Sequence, residues 1–327
     1  MPLDLQELSW TFRQLANETW FKLERGGEGP TSFGETSITD HNLFMLDMKH
    51  PDLNVHHFNQ NEQALSGADW EWWIGSDVDG WLCLRIQAKR VRGRSYPELA
   101  HPAGDDRFQY DVLIDGCNPL MSEFPLHVLY NGWPHGEFSS GTYWANPATW
   151  LACPGHAGAD RCVHAKPRDY GCAIVSSLAI KATHEAQTSA KRALNRRVTA
   201  HLSNALPWSY LWGIPATRSA SAATSLPSSG RPSNWQGPLI DALRIIYTHS
   251  RLQGSAQRSE SVLDPTEAEL GILTALEPDS NRRLKPQLPI YAQAVRVKNR
   301  RPGQMLEITS APARLIVVAD FTPSSEL

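Results

Sequence analysis

Apolar residues recur at helical spacing in LDLQELSWTFRQLANETWFKL (residues 4–24), among good helix formers, which predicts an amphipathic helix. GGEGPTSFG breaks it, and GETSITDHNLFML feeds a second helix over about 35–48, ended by Pro51. LNVHHF (53–58) predicts a strand, followed by a polar stretch to Gly67.

Two runs that agree with each other come next, in GADWEWWIGSDVDGWLCLRIQAKR (67–90). Setting Asp69 against Gln87 also opposes Trp70 to Ile86, Glu71 to Arg85, Trp72 to Leu84 and Trp73 to Cys83. The turn is then Asp77-Val78-Asp79-Gly80, with Gly80 free to adopt a positive φ. Strand periodicity assigns Trp70, Trp72, Leu84, Ile86 and Ala88 to one face and Asp69, Glu71, Arg85, Gln87 and Lys89 to the other.

Residues 105–117 predict a helix, and PLHVLYN (125–131) a short buried strand closed by Asn131-Gly132. Residues 35–132 thus read helix–strand–strand–strand–helix–strand, an α/β arrangement. Residues 171–186 begin as a strand and turn helical, and a further helix is expected over about 187–205. The Ser/Pro-rich stretch within 215–238 is the best linker or mobile loop. It separates an N-terminal part, 1–214, from a C-terminal α+β part, 239–327. That part holds a helix over 239–250, a strand-like IYAQAVRVK (290–298) and a buried strand in RLIVVADF (314–321).

With 327 residues, 41% hydrophobic and 9% aromatic, the chain can bury a sizeable core, and wholesale disorder is excluded. It holds no run of about 18 apolar residues, so no membrane span is expected. The acidic, amphipathic N-terminus lacks a basic-then-apolar signal pattern, so a cytoplasmic location is expected. Net charge is −3, from 31 basic and 34 acidic residues, so any contact with nucleic acid must use a local patch. Lys89-Arg90-Val91-Arg92-Gly93-Arg94 is one such patch, just past the second strand of the hairpin.

A nuclease needs oxygen ligands for a divalent cation and a positive group beside the scissile phosphate. A carboxylate opposite an amide on the neighbouring strand, with a lysine two residues on, brings those groups within about 5–8 Å of one another. Asp69, an 18-residue step and then Gln87-Ala88-Lys89 resembles the PD-(D/E)xK superfamily of restriction-endonuclease-like nucleases. The glutamine variant is similar to that of type IV restriction endonuclease catalytic domains, where Q-x-K precedes a basic residue. Glu35, opening the helix before the sheet, matches an acid that many members carry on their first core helix. The resemblance covers about 35–132 and implies a restriction-endonuclease-like αβββαβ core, a mixed sheet flanked by helices.

It further implies a Mg²⁺- or Mn²⁺-dependent phosphodiesterase with Glu35, Asp69, Gln87 and Lys89 as catalytic residues, the first three holding the metal. Arg90, Arg92 and Arg94 would contact the polymer, DNA first and RNA second. A role in defence against foreign nucleic acid is the implied setting, with a homo-oligomer or a defence-system protein as partner. Two departures stand out: Ala68 rather than proline precedes Asp69, and Gln87 replaces an acid. The alternative is therefore a catalytically inactive nucleic-acid-binding or interaction module on the same fold. Glu71 and Arg85 read as a cross-strand pair. The odd count of five cysteines argues against a disulfide framework. Cys153, His156, Cys162 and His164, with Cys172 beyond, offer ligands for a structural zinc ion, against the plainer reading of Cys172 as a buried core residue.

Overall fold

The computed structural model describes residues 3–26, 33–57, 67–99, 101–104, 107–132, 167–188, 198–202, 204–212, 235–256, 267–277, 283–300, 311 and 313–322. Asp4 caps the first helix, α1 (Leu5–Gly26), its carboxylate accepting the Gln6 and Glu7 N–H groups at 2.7 and 3.2 Å. The helix buries Leu8, Phe12, Leu15, Thr19 and Leu23, the three-to-four spacing read from the sequence. Helix α2 (Glu35–Lys49) and strand β1 (Leu53–His57) follow, also as expected.

The hairpin forms from β2 (Trp70–Ser76) and β3 (Gly80–Arg90) in the expected register, Trp70 facing Ile86 and Trp73 facing Cys83. Gly80 takes φ 94°, a conformation that suits glycine at this turn. Short strands β4 (Pro102–Gly104) and β5 (Arg107–Phe108) precede α3 (Gln109–Asp115), which is shorter than the helix expected over 105–117. Then come β6 (Glu123–Tyr130), β7 (Cys172–Ser176), α4 (Ser177–Thr188), α5 (Val198–Leu202) and β8 (Leu206–Pro207). The C-terminal part adds α6 (Gln236–Ala256), α7 (Glu267–Leu276), α8 (Ile290–Arg300) and β9 (Leu315–Asp320).

Seven strands make one mixed sheet in the order β1-β9-β2-β3-β6-β7-β8. The α/β class expected from the sequence is observed. Strands β2 and β3 are antiparallel, and β6 lies parallel to β3 after the crossover through α3. Strand β1 does not neighbour the hairpin. Strand β9 lies between them, antiparallel to β1 and parallel to β2. The C-terminal part therefore joins the interior of the main sheet, where Ile316, Val317, Val318 and Ala319 are fully buried. A strand apolar on both faces finds two covered faces only in the sheet interior.

IYAQAVRVK forms the helix α8, not a strand. Its buried Ala292 and Val295 lie three residues apart and pack with Trp73, Trp81, Ile316 and Val318. That spacing suits one helical face, whereas a strand of the same sequence would divide these residues between two sides. On the opposite face of the sheet, Trp70, Trp72, Ile74, Leu84, Ile86 and Ala88 join the main core with α1 and α2. There Phe12 meets Trp72, Trp208 and Trp212 at centroid separations of 5.4, 4.5 and 5.4 Å. Trp70, Trp72, Trp73 and Trp81 are all buried, so none presents a ring for base stacking.

Helix α1 is held down by a two-point ion pair. Arg13 Nε and Nη2 donate to the two oxygens of Asp169 at 2.9 and 3.2 Å. Close approach beside it requires Gly171, where a Cβ would collide with the Ala16 carbonyl oxygen.

Candidate functional site

Strand β2 begins at Trp70 and pairs with β3 only as far as Ile86. Residues 87–90 of β3 keep β6 on one side, with Gln87 facing His127 and Lys89 facing Leu129. On the other side β2 has ended, and the N–H groups of Ala88 and Arg90 point to that edge. Two carboxylates replace the missing strand. Asp69 Oδ2 accepts the Ala88 N–H at 2.7 Å, and Glu35 Oε2, from the first turn of α2, accepts the Arg90 N–H at 2.8 Å. Backbone donors at a strand edge need partners, and here both partners are acids.

Each acid keeps a second oxygen. Among the described residues, Asp69 Oδ1 and Glu35 Oε1 have no hydrogen-bond partner. Burial raises the Glu35 pKa from 4.5 to about 7, opposed by nearby Lys89 and reinforced by Asp69. Burial also raises the pKa of Asp69, with Lys89 opposing it. The three groups therefore act on one another electrostatically, as a carboxylate pair beside an ammonium does. Two partly desolvated acids with a free oxygen apiece suit a hard divalent cation, which would reverse both shifts.

Lys89 is buried, and its Nζ donates to Gln109 Oε1 at 3.1 Å. Gln87 is also buried. Its Nε2 donates to the Gly67 carbonyl at 3.0 Å and to Gln109 Oε1 at 2.8 Å. Its Oε1 lies 2.9 Å from His127 Nε2. On the far side of the imidazole, His127 Nδ1 lies 2.9 Å from Ser177 Oγ. Burial, then Lys89 and His201, hold the His127 pKa well below its ordinary value, so the ring is neutral. A neutral ring that donates from Nε2 to the Gln87 carbonyl accepts from the Ser177 hydroxyl at Nδ1.

The amide oxygen expected to bind metal thus faces His127, and the oxygens left open are those of Glu35 and Asp69. Gln109, His127, Ser177 and Arg314 join the surroundings without having been singled out. His127 is visible in the sequence as the one residue of the apolar run PLHVLYN able to carry a positive charge, in register with Gln87. Arg314 lowers the Asp69 pKa, and its Nη1 contacts Asp40 Oδ1 and His57 Nε2, each at 2.9 Å.

Arg92 and Arg94 are exposed on the turn that follows β3, where Arg92 pairs with Ser95 and Gly93 takes φ 57°. Arg90 is buried, and burial lowers its pKa. It shares the core-facing parity of Ile86 and Ala88, and so is turned away from the face that carries Gln87 and Lys89.

Glu71 stands apart from this site and is fully buried. Its Oε1 accepts Arg85 Nε at 2.9 Å, and its Oε2 accepts Trp73 Nε1 at 3.0 Å and the Tyr291 hydroxyl at 2.8 Å. The expected cross-strand pair is present. Arg85 also donates to the Gly116 carbonyl, and Lys285 pairs with Glu123.

Cys153, His156, Cys162 and His164 lie outside the described residues, as do 215–234 of the expected linker and 189–197 of the helix expected over 187–205. Cys172 is a core residue whose Sγ neighbours Thr19 Oγ1 at 3.4 Å and Asn42 Nδ2 at 3.5 Å. Burial pushes its thiol up to about 12, so it stays protonated. Among the described residues, no three His, Cys, Asp or Glu side chains gather as a metal site, and no helix is long and apolar enough to cross a membrane.

No curated protein matches the chain. A family model described as a family of unknown function, DUF6615, matches residues 8–322. That span is nearly the whole chain and takes in the hairpin, both acids and the inserted strand β9, so the protein belongs to this family.

Proposed function

We propose that the protein is a divalent-metal-dependent phosphodiesterase acting on nucleic acid, DNA first and RNA second, with a restriction-endonuclease-like catalytic core. The observation that carries this reading is the edge of β3, where Asp69 and Glu35 cap successive outward N–H groups on either side of Lys89. Glu35 and Asp69 would hold Mg²⁺ or Mn²⁺ through their open oxygens, and the cation would supply Lewis-acid polarisation of the phosphate and a more acidic water.

The remaining work falls to side chains of the chain itself. Lys89 puts a positive charge beside both acids, where it can neutralise charge building on a phosphate oxygen. Gln109 holds the ammonium, Gln87 holds Gln109, and neutral His127 fixes which way the Gln87 amide points. Exposed Arg92 and Arg94 offer charge to a polymer backbone. The likeness to restriction-type enzymes favours defence against foreign nucleic acid as the setting. One feature favours a second reading, a binding module without turnover: the Gln87 carbonyl is engaged by His127.

Incubation with supercoiled DNA and structured RNA, in Mg²⁺, Mn²⁺ or EDTA, separates the two readings. Metal-dependent cleavage is expected. Retention of both polymers without any cleavage would support the binding module instead.

Glu35 adds a test that does not depend on turnover. Its folded pKa of about 7 lies above 4.5, so between those values the folded chain holds a proton that the unfolded chain has released. The raised pKa thus favours folding below about 4.5, and the contribution fades as pH rises through about 7. A cation bound to the ionised pair offsets that loss. Mn²⁺ is expected to raise Tm at pH 8 and to have little effect at pH 5, with Glu35→Gln removing the difference. Equal Tm shifts at both pH values would count against the acid pair as the metal site.

A further inference from the structure

Near the C-terminal end of α1, a cavity of about 530 Å³ is lined by Phe21, Lys22, Arg25, Gly26 and Phe33. Phe33 is 42% exposed, and Lys22 Nζ lies 5.9 Å from its ring centroid. The Arg168 guanidinium lies 4.1 Å from the ring centroid of Phe21. Other arginines of the fold are matched to acids: Arg13 to Asp169, Arg85 to Glu71, Arg296 to Asp320 and Arg314 to Asp40. Lys22, Arg25 and Arg168 differ, since none of them forms an ion pair with a carboxylate among the described residues. Glu18 acts on Lys22 only at longer range, and its own carboxylate lies 3.5 Å from His41.

Two accessible rings among three unmatched cations are complementary to a ligand with flat apolar faces and several negative charges. Phe33 also stands two residues before Glu35, so the cavity wall lies within about 7 Å of chain from the candidate metal site. We propose that this groove binds a single-stranded segment of nucleic acid, with bases stacked on Phe33 and Phe21 and flanking phosphates paired with Lys22, Arg25 and Arg168. The assignment deepens the phosphodiesterase reading and rests on it for the polymer's role as substrate. A duplex fits less well, because its bases stack on one another and offer no free face to a side-chain ring.

The test is fluorescence anisotropy of a labelled single-stranded oligonucleotide and its duplex, titrated with full-length protein in EDTA over a range of salt. The single strand is expected to bind more tightly than the duplex. Lys22→Ala/Arg25→Ala is expected to reduce the salt slope by roughly 0.7 for each cation removed. Phe33→Ala is expected to weaken binding about 5- to 100-fold, as loss of a base–aromatic stack does. All three positions are at least partly exposed, and unchanged far-UV circular dichroism and Tm would show that the variants fold.

Unchanged affinity and slope in these variants would overturn the proposal. So would equal losses for duplex and single strand, or displacement of the oligonucleotide by polyglutamate as readily as by unlabelled DNA. Because the assay contains EDTA and reads no cleavage, an inactive protein with normal groove binding would fail only the phosphodiesterase reading. An active protein whose groove variants bind normally would fail only this one.

Discussion

Lys89→Ala is expected to lower metal-dependent cleavage at least about 100-fold while leaving the fold in place, the scale seen when one electrostatic group is removed from a catalytic centre. The ammonium is the positive charge that both acids feel most, and its hydrogen bond is to Gln109. Loss of that one charged hydrogen bond costs about 1.5–3 kcal/mol. Asp69→Asn is expected to give a similar loss of cleavage, since it removes charge from the pair. Its amide oxygen can still accept the Ala88 N–H, so the strand edge is kept. Initial rates on DNA with Mn²⁺, set beside urea unfolding of each variant, separate chemistry from folding. Full cleavage in Lys89→Ala would sink the site.

The second large effect concerns stability. Glu71→Ala is expected to destabilise the protein by about 3–5 kcal/mol, because it leaves a buried guanidinium without its main acid. Arg85 would retain the Gly116 carbonyl and a longer contact with Glu123 at 3.8 Å, but Trp73 and Tyr291 would both lose their acceptor. Glu71→Gln keeps an acceptor for those two donors, and a smaller loss is expected. Glu71→Met/Arg85→Met is expected to recover part of the loss, since a pair of apolar residues leaves no stranded charge. Urea midpoints at constant m-value provide the comparison. A shift below about 1 kcal/mol in Glu71→Ala would mean that Arg85 is adequately held by its other partners.

What the sequence made legible follows from how local each feature is. The hairpin register could be read because two runs of alternating parity constrain each other, and the observed pairs are the expected ones. Asp69, Gln87 and Lys89 lie near one another for the same reason. Charge alone groups Arg90 with Arg92 and Arg94, although the parity that assigns Ala88 to the core assigns Arg90 there too. The segment of α8 reads as a strand in the sequence because a short stretch of mixed polarity fits both periods, and only its packing against Trp73 and Ile316 decides between them. The direction of the Gln87 amide was not legible at all. It depends on His127 and Ser177, which reach it from other elements of the fold.

The position of β9 also bears on when the protein can become active. On the ribosome, residues 315–320 emerge long after both strands of the hairpin, yet they fill the gap between β1 and β2. The Leu315 N–H reaches the backbone carbonyl of Asp69 itself, at 3.3 Å. Until that late segment docks, the hairpin has an unpaired edge beside one of the two acids, and such distant pairing forms slowly. Chains stalled before residue 314 are therefore expected to show neither Mn²⁺-induced protection from proteolysis nor cleavage, and protection in such chains would refute this. Under the proposed phosphodiesterase reading a cell would gain from that order of events, because the nascent polypeptide stays harmless until β9 has been made and has docked.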